Sequence, residues 1–141
     1  MKIYFAGSIM GGTEKEEEYK NLIKFLNNFG QVLTEHIWEE QEINQTKKTF
    51  STKEDEYVYL RDTKWIDQSD IIIAEVSIPS LGVGYELGYA ESKNKEIICL
   101  YDLNSTKNLS YMLSGNKKNK IIKYKNLEEA QNKLKKYLKE K

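Results

Sequence analysis

Short apolar runs alternate along the chain with stretches whose apolar residues recur every three or four positions. Lys2 to Ala6 reads as a first strand. The break Gly7-Ser8-Ile9-Met10-Gly11-Gly12 follows, after which Tyr19, Leu22, Ile23, Leu26 and Phe29 mark one face of a helix that stops at Gly30. Gln31 to Thr34 gives a short second strand, and the polar stretch Glu39 to Lys53 reads as a mobile loop or lid. A helix over about Glu54 to Gln68 comes next, with Val58, Trp65 and Ile66 on one face and Asp62 projecting between them. Asp70 to Val76 reads as a strand covered on both faces, as in a parallel sheet. Ser77 to Gly84 leads into a helix beginning near Tyr85, and Glu96 to Tyr101 and Lys120 to Tyr124 supply a fourth and a fifth strand. Asn126 with Glu129 resembles a capping box. It opens a last helix whose apolar side is Leu127, Ala130, Leu134, Tyr137 and Leu138.

No internal repeat and no Pro/Gly/Ser-rich linker divides this alternation, so residues 1–141 are expected to form one α/β domain. The expected architecture is a single doubly wound, five-stranded parallel sheet, flavodoxin- or Rossmann-like, in the order 2-1-3-4-5. Such sheets bind ligands beyond the carboxyl ends of strands one and three, where the winding direction reverses. The loops Gly7 to Gly12 and Ser77 to Gly84 are expected to meet there.

Composition narrows the function. Twenty-two basic and twenty-two acidic residues leave no net charge, which disfavours a protein that holds nucleic acid by neutralising phosphates. Residues 105–141 carry 11 basic and 3 acidic groups, but these lysines lie on a helix with a regular apolar stripe and read as a solvated face. Arg61 is the only arginine, so a bound phosphate would rely on backbone amides, hydroxyls or lysine. The lone cysteine, Cys99, sits in an apolar run and forms no internal disulfide, which fits a reducing cytoplasm. Met1 to Met10 could pass for a signal core, but the glutamates that follow favour the strand reading, and no apolar stretch is long enough for a bilayer. With one histidine, His36, and no Cys/His cluster, no metal site is expected.

Glycine loops at helix starts suit an anion, because amides point toward it and the helix dipole favours negative charge. Gly7 to Gly12 is neither the P-loop nor the dinucleotide fingerprint, and a sharp turn without a ligand explains it equally well. Glu86, expected in the first turn after Gly84, would be held ionised by the helix start; an ordinary acidic residue complementing the dipole has the same appearance. Asp62 is either a buried cap or a working acid or base. Tyr4, Asp62 and Glu86 are expected to converge. Two carboxylates beside a phosphate cradle suit chemistry at an anomeric carbon, where one attacks C1′ and the other manages the leaving-group proton, with no metal or cofactor.

Tyr4-Phe5-Ala6-Gly7-Ser8-Ile9, Leu33-Thr34-Glu35-His36, Asp62 with Trp65, Ala74-Glu75-Val76-Ser77, Pro79 to Gly88 and Leu109-Ser110-Tyr111-Met112 together resemble the 2′-deoxynucleoside 5′-phosphate N-hydrolases of the nucleoside 2-deoxyribosyltransferase superfamily. The resemblance implies Glu86 as nucleophile, Asp62 as acid/base and Tyr4 as the group that orients Glu86. It also implies a substrate and phosphate pocket drawn from Gly7, Ser8, Ile9, Met10, Gly11, His36, Ser80, Gly82, Ser110 and Met112. The segment Ser110 to Met112 would reach it from a second subunit of a homodimer. Met10 departs from the arginine usual at its position in the hydrolases, which removes a cation beside base and phosphate. The expected reaction is hydrolysis of the N-glycosidic bond of deoxynucleoside 5′-monophosphates. Transfer of the sugar to a second base, ribonucleotide (CMP-type) hydrolysis and a non-catalytic nucleotide sensor are the alternatives.

Overall fold

The computed structural model describes residues 1–9, 15–38 and 52–141, with the side chains of residues 52 and 53 outside the description. Met10, Gly11 and nearly all of the stretch read as a lid therefore lie outside the described residues. The elements are β1 (Lys2–Ala6), α1 (Glu16–Leu26), β2 (Gln31–Val32), a 3-10 turn (Glu35–Trp38), α2 (Thr52–Gln68), β3 (Ile71–Glu75), α3 (Leu81–Ser92), β4 (Glu96–Asp102), α4 (Tyr111–Ser114), β5 (Lys120–Tyr124) and α5 (Leu127–Lys139). The five strands form one parallel sheet in the order β2-β1-β3-β4-β5, as the alternation of strands and helices requires.

Each interior strand is apolar on both faces because each face meets helices. Ile3 and Phe5 of β1 and Ile71 and Ile73 of β3 join the core formed with α1, the 3-10 turn and α5. Tyr4, Ala6, Ile72 and Ala74 join a second core under α2 and α3. The alternation of strand side chains thus turns Tyr4 toward the α2–α3 side. None of the described helices is long and apolar enough to cross a membrane.

Two element ends differ from the sequence expectation for identifiable reasons. The β2 ladder stops at Val32 rather than Thr34; the buried Thr34 hydroxyl instead accepts from the Phe5 amide at 3.1 Å and donates to the Phe5 carbonyl at 2.9 Å. Gly30 lies beyond the end of α1, and a side chain there would come within 2.2 Å of the Met1 carbonyl oxygen. Its role is to let the chain pass Met1 on the way into β2.

The larger correction concerns α3. Its first residue is Leu81, not a residue near Tyr85, because the Ser80 side chain caps it by accepting from the Val83 amide at 3.3 Å. Gly82 and Gly84 are therefore inside the helix, and the connecting loop is only residues 76–80. At the carboxyl end of the fold, Asn126 caps α5 by accepting from the Glu129 amide at 2.9 Å, as expected. Glu129 reaches back to the Lys125 amide at 2.7 Å.

Candidate active site

Tyr4 pairs in register with Ile72 in the middle of the sheet, and its buried hydroxyl donates to the Glu86 carboxyl. Glu86 is the sixth residue of α3, a turn deeper than the sequence suggested. The helix start therefore does not hold it ionised. Burial pushes the Glu86 carboxyl up to about 8, the Asp62 charge adds to this, and the Tyr4 hydrogen bond and Arg61 oppose it. The Tyr4 hydroxyl is itself held well above its usual range, by burial first and then by the charges of Glu86 and Asp62. Tyr4, Asp62 and Glu86, which come from β1, α2 and α3, are thus within electrostatic reach of one another.

Arg61 is a site residue that the sequence reading passed over. Its Nε lies 2.9 Å from Asp62 Oδ1, and its guanidinium sits over the rings of Trp65 at 4.9 Å and Tyr57 at 5.6 Å. Adjacent helical residues do not ordinarily face each other, so the spacing held no cue to this pair. Its effect is to place a cation next to both carboxyls. His36 is exposed and stands edge-on to Trp65, ring centroids 4.9 Å apart.

The loop after β1 is tightly packed. A side chain at Gly7 would come 3.0 Å from Cε2 of Tyr19 and 3.3 Å from the Trp38 ring, so these aromatic rings account for the glycine. Ser8 is buried, and its amide donates to the Tyr19 hydroxyl. The Ile9 side chain packs against the core on the α1 side. Across the switch point, Ser80, Ser110 and Met112 line one cavity of about 360 Å³, together with Val76, Val83 and Leu113. Gly82 is exposed in the first turn of α3, where a side chain would meet only the Ser80 hydroxyl at 3.8 Å.

A second feature missed from sequence is the fully buried Glu75 at the end of β3. Its carboxylate accepts from the Tyr124 hydroxyl at 3.1 Å, the Tyr19 hydroxyl at 3.3 Å, the Ser77 amide at 3.3 Å and, closely, the Ser77 hydroxyl. Lys15 Nζ lies 3.8 Å away. An acid inside an otherwise apolar strand was the available signal.

A tyrosine and two carboxyls within electrostatic reach of one another on the α2–α3 side of a doubly wound parallel sheet have the makings of an acid/base or nucleophilic site. The chain belongs to the nucleoside 2-deoxyribosyltransferase family, whose sequence profile matches residues 3–134. A Syntrophotalea carbinolica protein provisionally named 2′-deoxynucleoside 5′-phosphate N-hydrolase 1 is 40% identical over 129 residues, covering 92% of this chain and 88% of its own. The 5-hydroxymethyl-dUMP N-hydrolase of Tetraodon nigroviridis is 44% identical over 115 residues, 82% of this chain and 80% of its own. A solved CMP N-glycosidase of Clostridium botulinum shares the fold at a TM-score of 0.66 and 24% identity, over 96% of this chain and 99% of its own.

Proposed function

We propose that the protein hydrolyses the N-glycosidic bond of 2′-deoxynucleoside 5′-monophosphates, releasing free base and 2-deoxyribose 5-phosphate. The observation that carries this reading is the half-buried Glu86 carboxyl, hydrogen-bonded by Tyr4 and charge-coupled to Asp62, in a chain whose relatives are N-hydrolases. One proton shared by the two carboxyls suffices. On Asp62 it leaves Glu86 ionised as nucleophile and makes Asp62 the acid. Glu86 then forms an ester with C1′ as the glycosidic bond breaks; the bonding pair leaves with the base, which takes the Asp62 proton. In the second half Asp62 accepts a proton from water, water oxygen bonds to C1′, and the ester opens to restore the Glu86 carboxylate. Tyr4 steadies the Glu86 oxygen that does not attack. Ser8, Ser80, Gly82 and Ser110 form the 5′-phosphate cradle in this reading, and Gly7, Ile9, His36 and Met112 contribute to the substrate pocket; Met10 and Gly11, assigned to the same pocket by resemblance, lie outside the described residues.

The same reading includes a homodimer in which Ser110 to Met112 complete the neighbour's site. Leu81 and Met112, which line the serine-lined cavity, are 97% and 84% exposed, and Tyr111 beside Met112 in the chain is 89% exposed, apolar surface that a second copy would cover. Inactive Glu86→Ala and Ser110→Asp chains should regain activity when mixed, since one site of the mixed dimer is intact; no recovery refutes the shared site. Cys99, buried with its thiol pushed up to about 12, suits a reducing cytoplasm without requiring it.

The decisive experiment incubates a panel of deoxynucleoside monophosphates, 5-hydroxymethyl-dUMP and CMP with the protein and measures released base. Wild type should release base and Glu86→Ala should not. No release by wild type, or equal release by the variant, overturns the reading. A second free base in the same assay separates transfer from hydrolysis: a new deoxynucleotide formed faster than free sugar phosphate identifies a transferase.

A further inference from the structure

Glu75 lies on the far side of the sheet from the proposed reacting groups. Strand alternation places it with Ile71 and Ile73 on the α1–α5 side, whereas Tyr4 and Glu86 lie on the α2–α3 side. A buried carboxylate is costly there, and an isoleucine would continue the strand without that cost. What the carboxylate gains is its set of donors. One oxygen accepts from Tyr19, whose hydroxyl in turn accepts from the Ser8 amide. The other accepts from the amide and hydroxyl of Ser77 and from Tyr124. Ser8 belongs to the loop after β1, and Ser77 to the loop after β3. A continuous chain of hydrogen bonds, Ser8–Tyr19–Glu75–Ser77, therefore joins the two loops that flank the switch point.

The chain is braced on its outer side. The Ser77 hydroxyl accepts from the Asp102 amide at 2.7 Å, and the Ser77 carbonyl accepts from the Ser105 hydroxyl at 2.9 Å. Lys15 Nζ donates to Asp102 at 2.9 Å, Glu18 at 3.2 Å and the Tyr124 hydroxyl at 3.2 Å, and the single Tyr124 proton is shared between a close Glu18 oxygen and Glu75. Lys15, Glu18, Glu75, Ser77, Asp102 and Tyr124 thus hold one another through several mutual contacts.

We propose that Glu75 is a positioning residue for phosphate binding: it fixes the Ser8 loop and the Ser77–Ser80 loop at the separation a 5′-phosphate needs, without touching substrate. The inference rests on the nucleotide reading of the site. A residue with this role acts on ground-state and transition-state binding of the phosphate alike, so its loss raises KM and leaves kcat in place.

The test uses Glu75→Gln and Tyr19→Phe in the full chain. Tyr19→Phe keeps the ring packed against Phe5 and Trp38 while cutting the tether to Ser8, and carries the test if Glu75→Gln does not fold. In each, KM for the deoxynucleoside monophosphate should rise about tenfold, the loss of one hydrogen bond to a charged group, with kcat within about twofold of wild type. Calorimetry with inorganic phosphate should show affinity falling by a similar factor. Unchanged KM and phosphate affinity, or a fall in kcat at constant KM, overturns the proposal. Because phosphate affinity is read without turnover, a wild type that releases no base removes the nucleotide reading alone, and the positioning role is still decided by the calorimetry.

Discussion

Replacing Glu86 by glutamine should make the protein more stable, by an amount that depends on pH. The Glu86 carboxyl titrates near 4.5 in an unfolded chain and is pushed up to about 8 in the folded one, by burial first and by the Asp62 charge second. Below the lower value both states hold the proton and no penalty arises. Between the two values the unfolded chain releases its proton while the folded chain keeps it, so rising pH favours unfolding; above the upper value the cost is constant. At about 1.4 kcal/mol per pH unit the interval sets a ceiling near 5 kcal/mol. Glu86 is half-buried, so water screens part of that, and about 1–3 kcal/mol is expected. Glutamine carries no titrating proton and can still accept from Tyr4. Denaturant melts of both proteins at about pH 5 and about pH 8.5 make the measurement, with the advantage of the variant growing by that amount toward the higher pH. An equal difference at both pH values, or a variant less stable at the higher one, would refute the electrostatic account of the site.

The same charges predict the pH profile of kcat/KM, which should fall through an apparent pKa near 8 as the carboxyl pair loses the one proton it shares. Arg61→Gln removes a charge that favours ionised Glu86 and should move this falling limb to higher pH, as should Tyr4→Phe; a shift to lower pH in either contradicts the assignment. Gly7→Ala should destabilise the fold by about 1–3 kcal/mol through overpacking against Tyr19 and Trp38, read as a lowered denaturant midpoint. A neutral result would mean that the two rings yield.

Periodic apolar positions carried most of the architecture into view before any coordinates. Lys2–Ala6 and Lys120–Tyr124 emerge with the ends expected of them, and the strand order follows from parallel crossovers. The start of α3 was misread because Gly82 and Gly84 resemble loop residues, while the Ser80 cap that overrides them is a single hydroxyl acting three residues ahead. That shift matters chemically: it moves Glu86 away from the helix start and reverses the expected direction of its titration. Tyr4, Asp62 and Glu86 were visible as residue types at suggestive places, and the structure brings them within reach of one another. Arg61 and Glu75 were not singled out, because their partners are set by side-chain direction and by contacts between residues far apart in sequence, which local spacing does not encode.

The central placement of β1, hydrogen-bonded along both edges, ties the competence of the site to the whole molecule. Tyr4 reaches Glu86 only when β1 has docked beside β3 and α3 has settled over them, contacts that span most of the polypeptide. No excised fragment containing just one of the two carboxyl-bearing helices could retain the constellation. Turnover in a refolding experiment would accordingly appear late, reporting completed assembly rather than early helix formation.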